Sequence, residues 1–453
     1  MNRKKTKYVV VSLITIISMA ASMGIYAVPP NETWSQHQFP DIKIVGKVIS
    51  VSEFGVSGDG KTDDTASFQE ALTACSNDGI QCTIDENMSV RITEPVYMWG
   101  NGSLIGNRGA KVLIDISNFR NRFILNLGIS GKQKPEPEFS GAVSNINFSV
   151  INGPVLKGVK NPLPYSVGGR ILKLWRVNNA LISGNYFEIG KYMYAAVGSG
   201  RNKNWLRSKL SVNTGVEISR NTIVASTNSH GMEGIGLGGF TNALITNNTV
   251  YGVGDDPIGI HNSNNIRIFS NRIASVDGRI LIKNSHNVRV YRNYIARHKS
   301  LSDGSVYRGQ ALIHIGYETR KGRFRSISED IKLDENHLYY PAGGKDRRAA
   351  VYVQGTNQVE ITRTIFENES TIPILAIKIM PQIFKKRHSA ADESQINRFP
   401  VGDTFISQGE SIGPTDMKTI LIEGECQDIT GQITIREMDF DVKKDCLSLP
   451  ILN

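Results

Sequence analysis

The chain has 453 residues, a formal net charge of +10 and four cysteines. That length exceeds what a single compact core usually organises, which favours a repeat architecture. No cysteine or histidine cluster has the spacing of a zinc site, and the modest basic excess favours acidic glycans or anionic surfaces over nucleic acid.

The N-terminus predicts a secretory signal peptide at residues 1–27. The stretch MNRKKTKY carries four cations and no acid, and the uncharged run VVVSLITIISMAASMGIYAV follows it. Because the run is about as long as a membrane span, an uncleaved anchor is the alternative. Cleavage would lower the net charge by those four units and leave a secreted or periplasmic protein without a membrane span.

Four cysteines in an oxidising compartment are expected to pair. The near neighbours are Cys75 with Cys82 and Cys426 with Cys446. Four cysteines allow three connectivities, so this pairing is an expectation that the sequence does not fix.

The segment TDDTASFQEALTAC (62–75) predicts a helix near the start of the mature chain. Thr62 or Asp63 can cap it, and Phe68, Ala71 and Leu72 form an apolar stripe. Such a helix can cover the exposed strand edges at one end of an open sheet.

A repeat dominates residues 180–366. Each copy reads apolar-x-apolar-x-x-Asn-x-apolar, with Thr364 replacing Asn in the last, and a second apolar pair precedes most copies 13 and 11 residues before the Asn. The seven copies are ALISGNYF (180–187), VEISRNTI (216–223), ALITNNTV (243–250), IRIFSNRI (266–273), VRVYRNYI (288–295), IKLDENHL (331–338) and VEITRTIF (359–366). Period-two apolar pairs in units as short as 22 residues predict an all-β parallel β-helix, a solenoid with the helix as N-terminal cap.

The repeated asparagine is interpreted as structural. Asn tolerates the left-handed conformation of a sharp corner, and stacked Asn side chains can form a hydrogen-bonded ladder. This interpretation covers Asn221, Asn248, Asn271, Asn293 and Asn336.

The stretch VSEFGVSGDGKTDDTASFQEAL resembles the opening signature of the pectate-lyase-like, single-stranded right-handed parallel β-helix superfamily. That superfamily includes polygalacturonase-type glycosidases, polysaccharide lyases, uronate epimerases and phage tailspikes. Together with the repeat, the resemblance covers roughly residues 45–370 and implies the fold. It says little about the reaction, because one scaffold hosts many chemistries.

The spacing to the repeated Asn brings several acids together. Glu233 and Asp256 each lie 15 residues before an Asn, and Asp255 and Asp277 each lie 16 before one. We therefore expect Glu233 over Asp256, and Asp255 over Asp277, one coil apart. The basic residues expected on the same face are Arg279, Lys283, His261 and His314.

This cluster has three chemical interpretations and one structural alternative. Mutual repulsion would raise some carboxyl pKa values, as a proton donor at neutral pH requires, and carboxylates about 5 Å apart suit a retaining glycosidase. The cluster can instead bind Ca²⁺, or Lys283 or Arg279 can act as the base of a lyase. The alternative is that Asp-Pro and Gly-Asp pairs simply form turns.

Two patterns within the superfamily bear on these interpretations. Asp255-Asp256 resembles the acid pair of polygalacturonase-type enzymes, but the sequence has no Asn-Thr-Asp element. Tyr251-Gly252-Val253 and Asp256-Pro257 resemble the alginate-epimerase pattern, with Ile258 where that pattern has His. Both mechanisms therefore stay open.

Insertions in the repeat predict the walls of a binding groove. The first, 191–209, holds Tyr192, Tyr194 and Trp205, whose rings can stack on sugars, and the second lies between Asn293 and Asn336. After about residue 370 the repeat fades. The predicted organisation is a signal peptide at 1–27, a β-helix at 45–375, and an irregular loop with a terminal strand cover at 376–453.

The combined prediction is an exported carbohydrate-active enzyme that cleaves an acidic, uronate-containing polysaccharide, with hydrolysis preferred. Asp255, Asp256, Glu233 and Asp277 are the predicted catalytic residues. The predicted substrate-binding residues are Arg279, Lys283, His261, His314, Tyr192 and Trp205. The alternatives are a lyase or C5-epimerase on the same fold, and a non-catalytic glycan-binding or polysaccharide-export component. The sequence leaves metal dependence and oligomeric state open.

Overall fold

The computed structural model describes most of the chain from residue 47 onward. The described residues are 47–117, 123–128, 138–152, 169–189, 193–199, 213–225, 233–275, 278–297, 311–316, 328–341, 349–370, 374–380, 382–384, 397–399, 404–413, 419–423, 432–436, 440–444 and 451–452. The predicted signal peptide lies outside them and stays a prediction. Within the described part, no helix has the length and apolar character needed to cross a membrane.

Three long parallel sheets make up almost all of the regular structure. Sheet 1 consists of Val48–Ser50, Gln81–Ile84, Ser103–Gly106, Ala142–Ser144, Asn178–Ser183, Asn213–Ser219, Phe240–Thr246, Asn264–Phe269, His286–Tyr291, Ser328–Asp334, Thr356–Thr362, Thr404–Ser407, Ile433–Arg436 and Ile451–Leu452. Sheet 2 consists of Val96–Met98, Phe123–Leu127, Gly169–Leu174, Met193–Ser199, Glu233–Gly238, Ile258–His261, Ile280–Lys283, Ile313–Gly316, Val351–Gln354, Ile377–Met380, Thr419–Ile422 and Asp441–Lys444. Sheet 3 consists of Ser89–Ile92, Lys111–Asp115, Asn147–Asn152, Tyr186–Ile189, Thr222–Ala225, Thr249–Tyr251, Arg272–Ser275, Tyr294–Arg297, His337–Tyr340, Ile365–Asn368 and Glu410–Ile412.

The remaining elements are few. A helix spans Thr65–Asp78, a 3₁₀ turn spans Val51–Phe54, and Gln382–Phe384 pairs antiparallel with Asn397–Phe399. Strands of all three sheets occur beyond residue 375, and the predicted domain division at that point stays a prediction.

From Val96–Met98 to Glu410–Ile412, each coil contributes one strand to each sheet, in the chain order sheet 2, sheet 1, sheet 3. The predicted apolar pairs point into the solenoid and stack on their equivalents in the next coil. One such row in sheet 2 is fully buried and runs through Ile235, Ile258, Ile280, Ile313, Val351 and Ile377. The predicted parallel β-helix is confirmed. An outward residue in a paired strand therefore lies beside the equivalent residues of the neighbouring coils.

The repeated asparagines form the predicted ladder. Asn248 donates its side-chain N–H to Oδ1 of Asn271 at 3.0 Å and to the carbonyl of Ile218 at 2.8 Å. The same amide pairing joins Asn185, Asn221, Asn248, Asn271, Asn293 and Asn336. Each of these side chains is buried, so the ladder satisfies polar groups that water cannot reach.

The predicted position of the left-handed conformation is wrong by one residue. The residue before each Asn adopts it, with φ between 50° and 69° at Gly184, Arg220, Asn247, Ser270, Arg292 and Glu335. The physical reason is that the Asn side chain must point inward to reach its ladder partner. The corner is therefore turned by the preceding residue.

The helix covers the first strands of the sheets, as predicted. Its buried stripe includes Phe68, Ala71 and Leu72. Gln69 also pairs with the backbone of Tyr97 in the terminal strand of sheet 2, donating to its carbonyl at 3.0 Å and accepting from its N–H at 2.8 Å. A side chain thus takes the place of the missing neighbouring strand, which closes that edge.

The disulfide between Cys75 and Cys82 joins the helix to sheet 1, as predicted, with a Cα–Cα distance of 5.9 Å. The predicted pair Cys426 and Cys446 lies outside the described residues and stays a prediction.

Candidate functional site

Three glycines that pair across neighbouring strands leave a strip without side chains on the outer face of sheet 2. Gly198 pairs with Gly236, and Gly236 pairs with Gly259. Larger residues stand at the equivalent positions on both sides, Lys173 in the preceding strand and Leu281 in the following one. The three positions span two strand spacings, about 10 Å. We call this strip the glycine floor.

Charged side chains of the candidate site occupy the space above the glycine floor. A Cβ on Gly236 would stand 2.3 Å from Oε2 of Glu233, and a Cβ on Gly198 would stand 2.3 Å from Nε of Arg170. On Gly259, a Cβ would come within 3.5 Å of the Asp256 side chain. The missing side chains are therefore what lets these charged groups lie against the sheet.

Glu233 begins its strand of sheet 2 and is 3% exposed. The hydroxyl of Tyr194 donates to its Oε1 at 2.6 Å, and a guanidinium nitrogen of Arg170 lies 3.9 Å from its Oε2. Arg170 also lies over the Tyr194 ring, 5.3 Å from its centroid. A hydroxyl donor and a cation thus both contact this buried carboxyl group.

Asp256 precedes the next strand of sheet 2 and is 4% exposed. Nε of Arg279 donates to its Oδ1 at 3.1 Å. Burial raises the pKa of Asp256 well above its usual value, the charges of Asp255 and Glu233 raise it further, and Arg279 and Lys283 oppose the shift. Asp256 therefore holds its proton to a higher pH than an exposed aspartate does.

The structure brings Glu233, Asp256 and His261 together. Their ligand atoms all lie within 4.8 Å of one another. His261 lies beside Lys283 of the following strand, and the backbone N–H of Arg279 donates to the Asp255 carbonyl at 3.2 Å. Six of the predicted site residues thus gather over two or three coils.

Among the described residues, one further predicted site residue lies apart from this group. His314 lies on the same face two strands beyond Gly259. Asp277, Tyr192 and Trp205 lie outside the described residues, so the stacking of Asp255 over Asp277 and the aromatic wall stay predictions.

Comparison with known proteins supports the architecture. The family model for the right-handed β-helix region matches residues 208–371. The surface adhesin PfbA of Streptococcus pneumoniae is 14% identical, with 90% of this chain and 93% of that chain covered and a TM-score of 0.51. The exopolygalacturonase of Thermotoga maritima is 13% identical, with 89% and 92% covered and a TM-score of 0.53.

This chain is a right-handed parallel β-helix protein. At such identities the two solved structures establish its fold and leave its reaction open. A comparison with curated protein sequences gives no match.

Arg170 of the candidate site was missed by the sequence analysis, although it lies 15 residues before Asn185, the same spacing that selected Glu233 and Asp256. Tyr194 was predicted to belong to the insertion 191–209 as a sugar-stacking ring. The structure instead places it in the sheet 2 strand Met193–Ser199, with its hydroxyl on Glu233. The glycine floor could also have been predicted from the sequence, since Gly236 and Gly259 each lie 12 residues before the repeated Asn of their coil.

The donor set of this β-helix fits Ca²⁺ poorly. Ca²⁺ takes six to eight oxygen ligands, whereas the group formed by Glu233, Asp256 and His261 offers two carboxylates and one imidazole. Arg170 and Arg279 already lie against the two carboxyl groups.

Proposed function

We propose that the chain is an exported carbohydrate-active enzyme that cleaves an acidic polysaccharide by hydrolysis. The observation that carries the proposal is the pair of buried carboxyl groups, Glu233 and Asp256, whose oxygens approach within 4.8 Å in unlike environments. A carboxyl group that keeps its proton to a higher pH, next to a second carboxyl group, is what general acid and nucleophile roles require.

The separation favours retention of configuration. Retaining glycosidases hold their two carboxyl groups about 5 Å apart, whereas inverting enzymes leave a wider gap for water. Asp256 would give its proton to the glycosidic oxygen while the bond from that oxygen to the anomeric carbon breaks. Glu233 would form a bond to the anomeric carbon. Water would then release the sugar, with its proton passing to the Asp256 carboxylate.

The charges around the pair support an acidic substrate. Arg170 and Arg279 contact the two carboxylates, and Lys283 lies next to His261 on the same face. A uronate carboxylate can approach such a surface without meeting an uncompensated negative charge, and Lys283 and His261 are the predicted groups that hold it.

Export rests on the sequence and is supported by the disulfide. Residues 1–27 have the layout of a signal peptide, and Cys75–Cys82 suits an oxidising compartment. One of the two similar structures is a surface adhesin and the other an exopolygalacturonase, so binding without cleavage is a rival that the experiment must address.

Elimination or epimerisation is the second candidate, because the same face holds bases as well as acids. Tyr194 reaches Glu233, and Lys283 and His261 are adjacent. Either reaction would begin with one of these groups taking the C5 proton of a uronate. Loss of the glycosidic oxygen would then give an unsaturated sugar, whereas reprotonation from the other side would give the epimer.

One assay separates these functions. The mature protein is incubated with polygalacturonate, alginate and a glycosaminoglycan, with a neutral glucan as the control substrate. We expect new reducing ends without the ultraviolet absorbance of unsaturated sugars, and NMR of the first product should show a retained anomer. Unsaturated products would indicate elimination, and an NMR change without chain shortening would indicate epimerisation.

The variants are Asp256→Asn and Glu233→Gln, with Glu217→Gln of sheet 1 as the matched control. Removing an acid catalyst is expected to lower the rate about 10²- to 10⁴-fold, whereas Glu217→Gln should retain activity. Binding that Asp256→Asn leaves unchanged, with no turnover by the wild type, would overturn the proposal in favour of a glycan-binding protein.

A further inference from the structure

An aromatic pair lies on the outer face of sheet 2, beyond the carboxyl pair. The rings of His314 and Tyr352 have centroids 4.9 Å apart and are tilted by 46°. Nε2 of His314 lies 3.3 Å from Oε1 of Gln354, and the Tyr352 hydroxyl contacts the sulfur of Met380. Both rings are partly exposed, so the pair presents apolar ring surface with hydrogen-bonding groups at its edge.

The register places this pair in line with the glycine floor. Gly259 pairs with Leu281, Leu281 with His314, and His314 with Tyr352. At the usual strand spacing, His314 stands about 10 Å and Tyr352 about 14 Å from Gly259 along the solenoid axis. The intervening Leu281 is buried, and a missing side chain at Gly316 leaves the edge of His314 accessible, since a Cβ there would come within 3.1 Å of Nε2.

The spacing suits a polymer that lies along the axis. A pyranose unit in an extended polysaccharide is about as long as one strand spacing. One sugar per strand spacing would therefore bring a polymer from the carboxyl pair to the aromatic pair, passing over the atoms that cover Leu281. A sugar two or three units from the bond held by Glu233 and Asp256 would then reach the aromatic pair.

We propose that His314 and Tyr352 form a sugar-binding subsite, which stacks against the apolar face of a pyranose two or three units from the cleaved bond. The inference rests on the proposed function, because it takes the carboxyl pair as the place of cleavage. Aromatic faces bind such apolar surfaces, and Gln354 can bond the ring hydroxyls. The subsite makes recognition depend on chain length.

The test uses oligouronides from the disaccharide to the octasaccharide. His314→Ala and Tyr352→Ala should each raise KM for the hexasaccharide and octasaccharide about tenfold, a loss typical of one stacking contact. The disaccharide, which cannot extend from the cleaved bond to the subsite, should keep its KM, and kcat should not change. Tyr352→Phe, which keeps the ring, should behave as the wild type does.

The matched control is Tyr291→Ala. Tyr291 stacks on Phe269 at 4.8 Å in sheet 1, so the variant removes an equivalent ring from another face. It should not change KM for any length. An equal rise at all lengths in His314→Ala and Tyr352→Ala, or no rise at any length, overturns the subsite.

Calorimetry distinguishes failure of the subsite from failure of the proposed function. If the wild type cleaves none of the oligouronides, its affinity for the octasaccharide is measured directly. Binding that weakens about tenfold in Tyr352→Ala, with no change in Tyr291→Ala, supports the subsite although cleavage fails. No binding of any oligouronide overturns both proposals.

Discussion

Gly236→Ala tests the glycine floor most directly. The added Cβ would stand 2.3 Å from Oε2 and 3.2 Å from Cδ of Glu233. Because non-bonded atoms of this kind need about 3.5 Å, the carboxylate must move by about 1 Å. Its 2.6 Å hydrogen bond from Tyr194 would be lost or lengthened. A displacement of that size at a reacting group costs about 10²-fold in rate.

The control is Gly238→Ala in the same strand, where the nearest atom to the added Cβ is Oγ of Ser199 at 3.3 Å. The assay compares kcat/KM for the polysaccharide that the wild type cleaves, together with the free energy of unfolding in urea. We expect Gly236→Ala to lose about 10²-fold in kcat/KM relative to Gly238→Ala. The two unfolding energies should agree within about 1 kcal/mol. Equal activity of the two variants would refute the reasoning.

The remaining predictions concern pH and stability. Burial raises the pKa of Asp256, so wild-type activity should fall as pH rises through that value, and a rate that keeps rising there would exclude Asp256 as the acid. The folded chain keeps this proton when the unfolded chain has lost it, so the contribution of Asp256 to the free energy of unfolding should fall as pH rises above 3.8, and wild type should lose stability relative to Asp256→Asn over that range. Asp256→Asn should remove that fall in urea melts. Asn248→Ala leaves the N–H of Asn221 without its 3.0 Å acceptor and should cost about 3 kcal/mol, whereas Asn247→Gly, which suits the left-handed corner, should not destabilise the chain.

The fold was predictable because its information is local and repeated. Apolar residues at alternate positions fix which face of each strand is buried, and the constant offset to the Asn fixes which strands meet. The ladder through Asn248 and Asn271 confirms that offset. The left-handed corner was misplaced because the sequence does not show which of two adjacent residues turns its side chain inward.

The site was predictable only in part. Counting from the repeated Asn brought Glu233 and Asp256 together, since both lie in coils without long insertions before their Asn. The same counting fails for Tyr194, because extra residues between it and Asn221 place it 27 residues before that Asn. A register read from sequence holds only where the chain length per coil is constant.

The sequence by itself determined the architecture, the stacking of Glu233 over Asp256 and the inward rows of isoleucine and valine. The tertiary structure alone decided that Tyr194 donates to Glu233, that Arg279 reaches Asp256, and that Gly236 leaves room for a carboxylate. The physical reason is that the two kinds of feature depend on different distances along the chain. Strand pairing follows from backbone periodicity, whereas side-chain contacts and the burial that raises a pKa depend on atoms supplied by several coils at once.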